Sequence, residues 1–121
     1  MRIERELMRG AGPVAVLKLL ESGAKYGYEL VEQLTAETNG VLEVGQSTLY
    51  PLLYNLESQG LIKPQWQQAD SGRQRKYYSL TGKGKKRLSR DSKQWQAVSE
   101  AMLRLGVISD PHIEPALEGG A

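Results

Sequence analysis

The 121-residue chain has no cysteine, no phenylalanine and a single histidine. Without cysteine there are no disulfides, no thiolate nucleophile and no thiolate metal site. His112 has no second histidine to help it hold a metal, and it lies among Pro111, Pro115 and two glycines. Apolar runs are short, far from the roughly 18 residues of a membrane span. The opening MRIERELMRG lacks the apolar core of a signal peptide, so neither export nor a membrane partner is expected, and the chain should remain cytoplasmic. An enzyme finds no support. There is no spaced carboxylate pair with a base, and TGKGKK at 81–86 lacks the G-x-x-x-x-G-K-[ST] spacing of a phosphate loop. No cofactor is expected.

The charge that is present is unevenly placed. The net formal charge is +2, but Leu61 to Arg90 holds nine cations against Asp70 alone, a block of +8, which leaves seven cations against thirteen anions elsewhere. A +8 block in thirty residues points to a polyanion met by one face of the fold.

Hydrophobic periodicity gives the elements. Residues 2–9 read as a short helix, Gly10 and Gly12 as its end, and Pro13 as the first position of a new helix through VAVLKLL. YGYELVEQLTAETNG places Leu30, Val31 and Leu34 on one face and stops at Asn39-Gly40. VLEV at 41–44 is a short turn or strand. STLYPLLYNLESQGLI puts Leu49, Leu52, Leu53 and Leu56 on one side of a third helix ended by Gly60, with Thr48 expected as its N-cap and Pro51 in its first turn. The period then drops to two, and a hairpin is predicted with its tip at Asp70–Arg73. Trp66 should pack beneath that hairpin. From Thr81, expected as its N-cap, a long helix runs to about Leu105, its first turn loosened by Gly82 and Gly84. Leu88, Trp95, Val98, Met102 and Leu105 form an apolar stripe along it.

Three short one-sided helices followed by a hairpin is the order of a winged helix-turn-helix, a mainly α fold with a small β-hairpin. The expected organisation is a DNA-binding domain over 1–80, with the wing at about 61–80, a dimerisation helix over 81–105 and a disordered tail over 106–121. The outward side of the third helix carries Ser47, Thr48, Tyr50, Pro51, Tyr54 and Asn55, hydroxyls and aromatic edges with no charge until Glu57. Such a surface can approach base edges closely. Arg73, Arg75 and Lys76 crowd the wing, where phosphates would lie. The cations at 83–87 sit at a helix start, where the dipole disfavours them, and call for an outside anion or a solubility role. A helix of about 24 residues spans about 36 Å and exceeds what three short helices can cover, so the stripe predicts a two-fold partner.

YGYEL at 26–30, STLYPLLYNLESQGLI at 47–62 and RKYYSLTGKGKKRL at 75–88 resemble, in order and spacing, the PadR family of bacterial transcriptional regulators. The resemblance implies a homodimer on a pseudo-palindromic double-stranded DNA operator, usually acting as a repressor, with the long helix forming the dimer. It also implies that Tyr26 contacts the DNA backbone, that Ser47, Thr48, Tyr50 and Pro51 begin the recognition helix, and that Arg75 to Tyr78 form the return strand of the wing. Lys25 beside Tyr26 and Gln46 beside Ser47 complete the expected contact set. Asn55 departs from the His or Arg often found there. Some members of the family bind a small planar aromatic effector against a tryptophan of the long helix, a place Trp95 matches, but the preferred reading of Trp95 is a large interface anchor. The competing function is a winged helix that docks a protein and has no effector site.

Overall fold

The computed structural model describes residues 1–109 and divides after Ser89 into a first compact unit, Met1–Ser89, and a second beginning at Arg90. His112 and the tail from residue 110 lie outside the described residues. Four helices and a three-stranded antiparallel sheet are present: α1 (Arg5–Leu20), β1 (Lys25–Tyr26), α2 (Gly27–Glu37), α3 (Gln46–Ser58), β2 (Ile62–Gln68), β3 (Gln74–Leu80) and α4 (Gly82–Leu105). The mainly helical winged architecture is the expected one.

The core of the first unit is built from the predicted apolar faces. Val16, Leu17 and Leu20 of α1 meet Leu30 and Leu34 of α2 and Leu49, Leu53 and Leu56 of α3, closed on the sheet side by Leu61, Ile62 and Tyr78. α3 ends as the sequence indicates. Gly60 at φ 75° turns the chain, its N–H bonds to the Glu57 carbonyl, and the Leu61 N–H returns to the Leu56 carbonyl, a Schellman arrangement with its apolar pair buried.

Several expectations are corrected. Gly10, Gly12 and Pro13 do not divide the first segment, because α1 is one helix from Arg5 to Leu20. Pro13 removes only the bond to the carbonyl of Arg9, an exposed residue within reach of water, and Gly12 is buried where a Cβ would lie 2.8 Å from Leu52 Cδ1. A glycine taken for a helix end is thus where α3 comes close to α1. VLEV forms turns and irregular chain with no strand, Val44 alone of the four being buried. The N-cap of α3 is Gly45, not Thr48, so Pro51 is the sixth helical residue and leaves the Ser47 carbonyl without its usual donor. Both residues are exposed, so that carbonyl is hydrated or open to an external donor.

The hairpin has a third member. β1 pairs with β3 through Lys25↔Tyr78 and Tyr26↔Tyr77, giving strand order β1-β3-β2. The wing runs from Ile62↔Leu80 to Gln68↔Gln74 and closes at the predicted tip, where the Ala69 N–H bonds to the Arg73 carbonyl at 2.7 Å.

Thr81 caps α4 as expected, accepting the Gly84 N–H at 2.9 Å while its hydroxyl donates to the Gly60 carbonyl at 2.6 Å. Two of the neighbouring cations have an internal use. Lys83 Nζ donates to the Gln59 carbonyl at 2.8 Å and Arg87 donates to the Gln59 side-chain oxygen at 3.3 Å. They therefore sit at the C-terminus of α3, where a cation is favoured. Gly84 does not loosen the helix. A Cβ there would lie 2.0 Å from the Leu61 carbonyl oxygen, so the glycine lets α4 begin against the end of α3.

Leu88 leaves the predicted dimer stripe, since it is 4% exposed and part of the core of the first unit. In the second unit Trp95, Val98 and Leu105 are exposed and Met102 is half-buried. Gly106 ends α4 in another Schellman turn, its N–H on the Leu103 carbonyl and the Val107 N–H on the Met102 carbonyl, so residues 106–109 of the expected tail have defined structure. No described helix is long and apolar enough to cross a membrane.

Candidate functional site

Tyr26 is placed by three local facts. It is the N-cap of α2, its N–H is held by the Glu29 carboxylate at 3.1 Å, and its backbone pairs with Tyr77. The Glu29 contact is half of a capping box and fixes the entry to α2. The Tyr26 ring meets Tyr77 edge-on at 5.4 Å between centroids, and the Arg75 guanidinium lies 4.4 Å from the Tyr26 centroid. That stacking restrains a long side chain in advance of any ligand. Among the described residues no carboxylate pairs with Arg73 or Arg75. Lys76 is partly neutralised by Glu57 of α3 at 3.7 Å and lies 5.5 Å from the Tyr78 ring centroid.

Tyr26, Arg73, Arg75 and Lys76 border a cleft of about 470 Å³ opening between the N-terminus of α2, α3 and the wing. Tyr26, Tyr28, Tyr50, Trp66 and Tyr78 supply its rings and Arg73, Arg75 and Lys76 its cations, with no acidic lining residue. Five of the expected contact residues, Tyr26, Tyr50, Arg73, Arg75 and Lys76, thus share one concave surface. The others line up differently. Gln46, Ser47, Pro51, Tyr54 and Asn55 are exposed along α3, Tyr54 at 72%. Lys25 is half-buried in β1, and Thr48 borders a separate groove with Val31, Thr35 and Val44. Uncharged hydrogen-bonding groups beside a cationic rim suit a phosphate backbone with its base edges.

Trp66 was expected beneath the wing. It is 64% exposed and lines the cleft. Its register partner is Lys76, two residues beyond the buried Tyr78, so it shares the core-facing side of the sheet at a point where the hairpin has outrun the helical core. The available signal was Gln68, which shares the face of Ile62 and Trp66 and is polar, whereas Gln65 and Gln67 lie on the opposite face. Gly27 and Tyr28 were also missed as part of the cleft.

Known proteins share this fold. The model of the PadR-like family of transcriptional regulators matches residues 16–90. A PadR family transcriptional regulator from Eggerthella lenta is 34% identical, with a TM-score of 0.72 over 87% of this chain and 88% of its own. A Streptococcus transcriptional regulator is 32% identical, with a TM-score of 0.76 over 85% of this chain and 99% of its own. An uncharacterized protein X from Lysinibacillus sphaericus is 31% identical across 81% of this chain and 90% of its own length.

Proposed function

Since the chain belongs to the PadR-like family of transcriptional regulators, we propose that it acts by binding double-stranded DNA as a homodimer, with α3 in the major groove and the wing on the flanking backbone. The observation that carries the reading is the shared cleft, in which Tyr50 of α3 and Arg73, Arg75 and Lys76 of the wing stand together with no acidic lining. Arg73 and Arg75 supply the phosphate attraction that the uncharged face of α3 lacks. Ser47, Tyr54 and Asn55 offer hydrogen bonds to base edges. A dimer seated over a promoter represses by occupying it.

Selection of the purified protein against random duplexes is expected to return an inverted repeat with half-sites about one helical turn apart, roughly 10 base pairs. Binding to it should weaken steeply between about 50 and 200 mM salt. Recovery of no sequence, together with an affinity for some protein partner that is insensitive to salt, would support the protein-docking alternative instead.

Dimer formation is assigned to the second unit. Trp95 is 41% exposed, Val98 51% and Leu105 74%, three apolar side chains of one helix at spacings that share a face. Trp95 is first an anchor of that interface, and an aromatic effector would have to use the same indole. Val98→Ala removes apolar contact worth about 1 kcal/mol per copy. Two-fold symmetry doubles the loss, so the dimer should dissociate about thirtyfold more readily in sedimentation equilibrium. A monomeric wild type at micromolar concentration would contradict the assignment.

A further inference from the structure

We propose that Gly27 is a specificity-determining position whose role is to seat the Tyr50 ring of the reading helix. The proposal rests on the DNA-binding reading above and adds to it a coupling between the YGYEL and STLYP segments.

Gly27 is the first residue of α2 and is buried. Its φ lies outside the left-handed region, so its backbone is open to any L residue, and glycine is among the weakest helix formers. What the position requires is space. A Cβ built there would lie 2.8 Å from Tyr50 Oη, 3.0 Å from Cε1 and 3.1 Å from Cζ. One edge of the Tyr50 ring therefore rests directly on the Gly27 α-carbon, with no room for a methyl group between them.

Which neighbour is crowded determines what a substitution disturbs. At Gly12 the obstacle is Leu52, a side chain packed against the core, and at Gly84 it is backbone. At Gly27 it is the far end of a side chain that is 46% exposed. A methyl group there displaces the ring outward and leaves the core untouched. The seat itself is firm, because the Glu29 carboxylate holds the Tyr26 N–H at 3.1 Å and β1 fixes Tyr26 against β3. Hydrogen bonds to a base edge need heavy atoms within about 2.7–3.2 Å, so a ring displaced by even an ångström loses such a bond or exchanges it for a wrong one. Phosphate contacts from the wing tolerate the change. Specific binding should fall while non-specific binding persists.

The test compares wild type, Gly27→Ala, Tyr50→Ala and the double variant on the selected operator and on a random duplex of equal length, at one salt concentration. Urea midpoints monitor folding. Gly27→Ala is expected to keep its urea midpoint and its affinity for the random duplex and to lose about tenfold or more on the operator. In the Tyr50→Ala background the same substitution should have no further effect, since the coupled pair is then already broken. Wild-type operator affinity in Gly27→Ala, or a full loss that persists in the Tyr50→Ala background, would overturn the proposal. Proton NMR of the free protein tests the contact without DNA. Nuclear Overhauser effects between the Gly27 α-protons and the Tyr50 ring are expected, and their absence removes the seat. If they are present but the wild type binds no DNA in a salt-dependent manner, the DNA-binding reading has failed, and the specificity role fails with it.

Discussion

Replacing Arg73 and Arg75 together with alanine is expected to weaken operator binding by about a hundredfold or more near physiological salt. In a dimer the double variant removes four cations. Contacts of about 0.7 kcal/mol each, within the range of exposed ion pairs, sum to roughly that factor. The salt slope is the more telling quantity. Each phosphate contact contributes about 0.9 to the logarithmic slope, so four lost contacts should lower it by about 3.6. Unchanged affinity and slope would show that the wing does not meet the backbone. The two arginines should also differ when replaced by lysine. Arg73→Lys keeps what an exposed tip residue offers, whereas Arg75→Lys loses the planar stack 4.4 Å from the Tyr26 centroid and should bind more weakly. Lys85→Ala and Lys86→Ala are controls for charge alone, because both residues are exposed and lie outside the cleft.

Gly84→Ala should be the most destabilising glycine-to-alanine change among the described residues. In a helix, alanine is ordinarily favoured over glycine by about 1 kcal/mol. At this position that gain is outweighed, because the new Cβ would fall 2.0 Å from the Leu61 carbonyl oxygen and 3.0 Å from its carbon. The obstacle is backbone and cannot rotate away. Relief requires α4 to back off, which opens the Thr81 N–H bond to that same carbonyl at 3.1 Å and the Thr81 hydroxyl bond to Gly60 at 2.6 Å. A net loss of at least about 3 kcal/mol is expected, a large part of the roughly 5–15 kcal/mol typical of a domain. The urea midpoint should fall accordingly. Gly82→Ala, on the same turn with nothing within 4 Å of its Cβ, should be neutral or slightly stabilising. Equal effects at the two positions would refute the close approach.

Much of the fold was legible in the residues for physical reasons. The leucine spacings of α2 and α3 follow from burial on one face, and the breaks at Asn39-Gly40 and Gly60 follow from left-handed backbone at Asn39, Gly40 and Gly60. The hairpin, its tip and the cap at Thr81 are likewise encoded within a few residues. The candidate site was legible as residue types, a neutral hydroxyl-rich helix face followed by a block of cations.

The amino-acid order by itself determined the helix and wing succession, the dipolar charge distribution and the absence of thiol chemistry. Each of these depends on composition or on neighbours one helical turn away. Only the tertiary structure decided that Gly10, Gly12 and Pro13 lie within one helix, that Tyr26 adds a strand, that Leu88 belongs to the core and that Trp66 faces a cleft. It also decided the roles of three glycines, at 12, 27 and 84, which stand where Leu52, Tyr50 and the Leu61 carbonyl approach. A glycine has no side chain with which to announce its neighbour. The reason it is needed is an atom from a distant part of the chain, and folding alone brings that atom near.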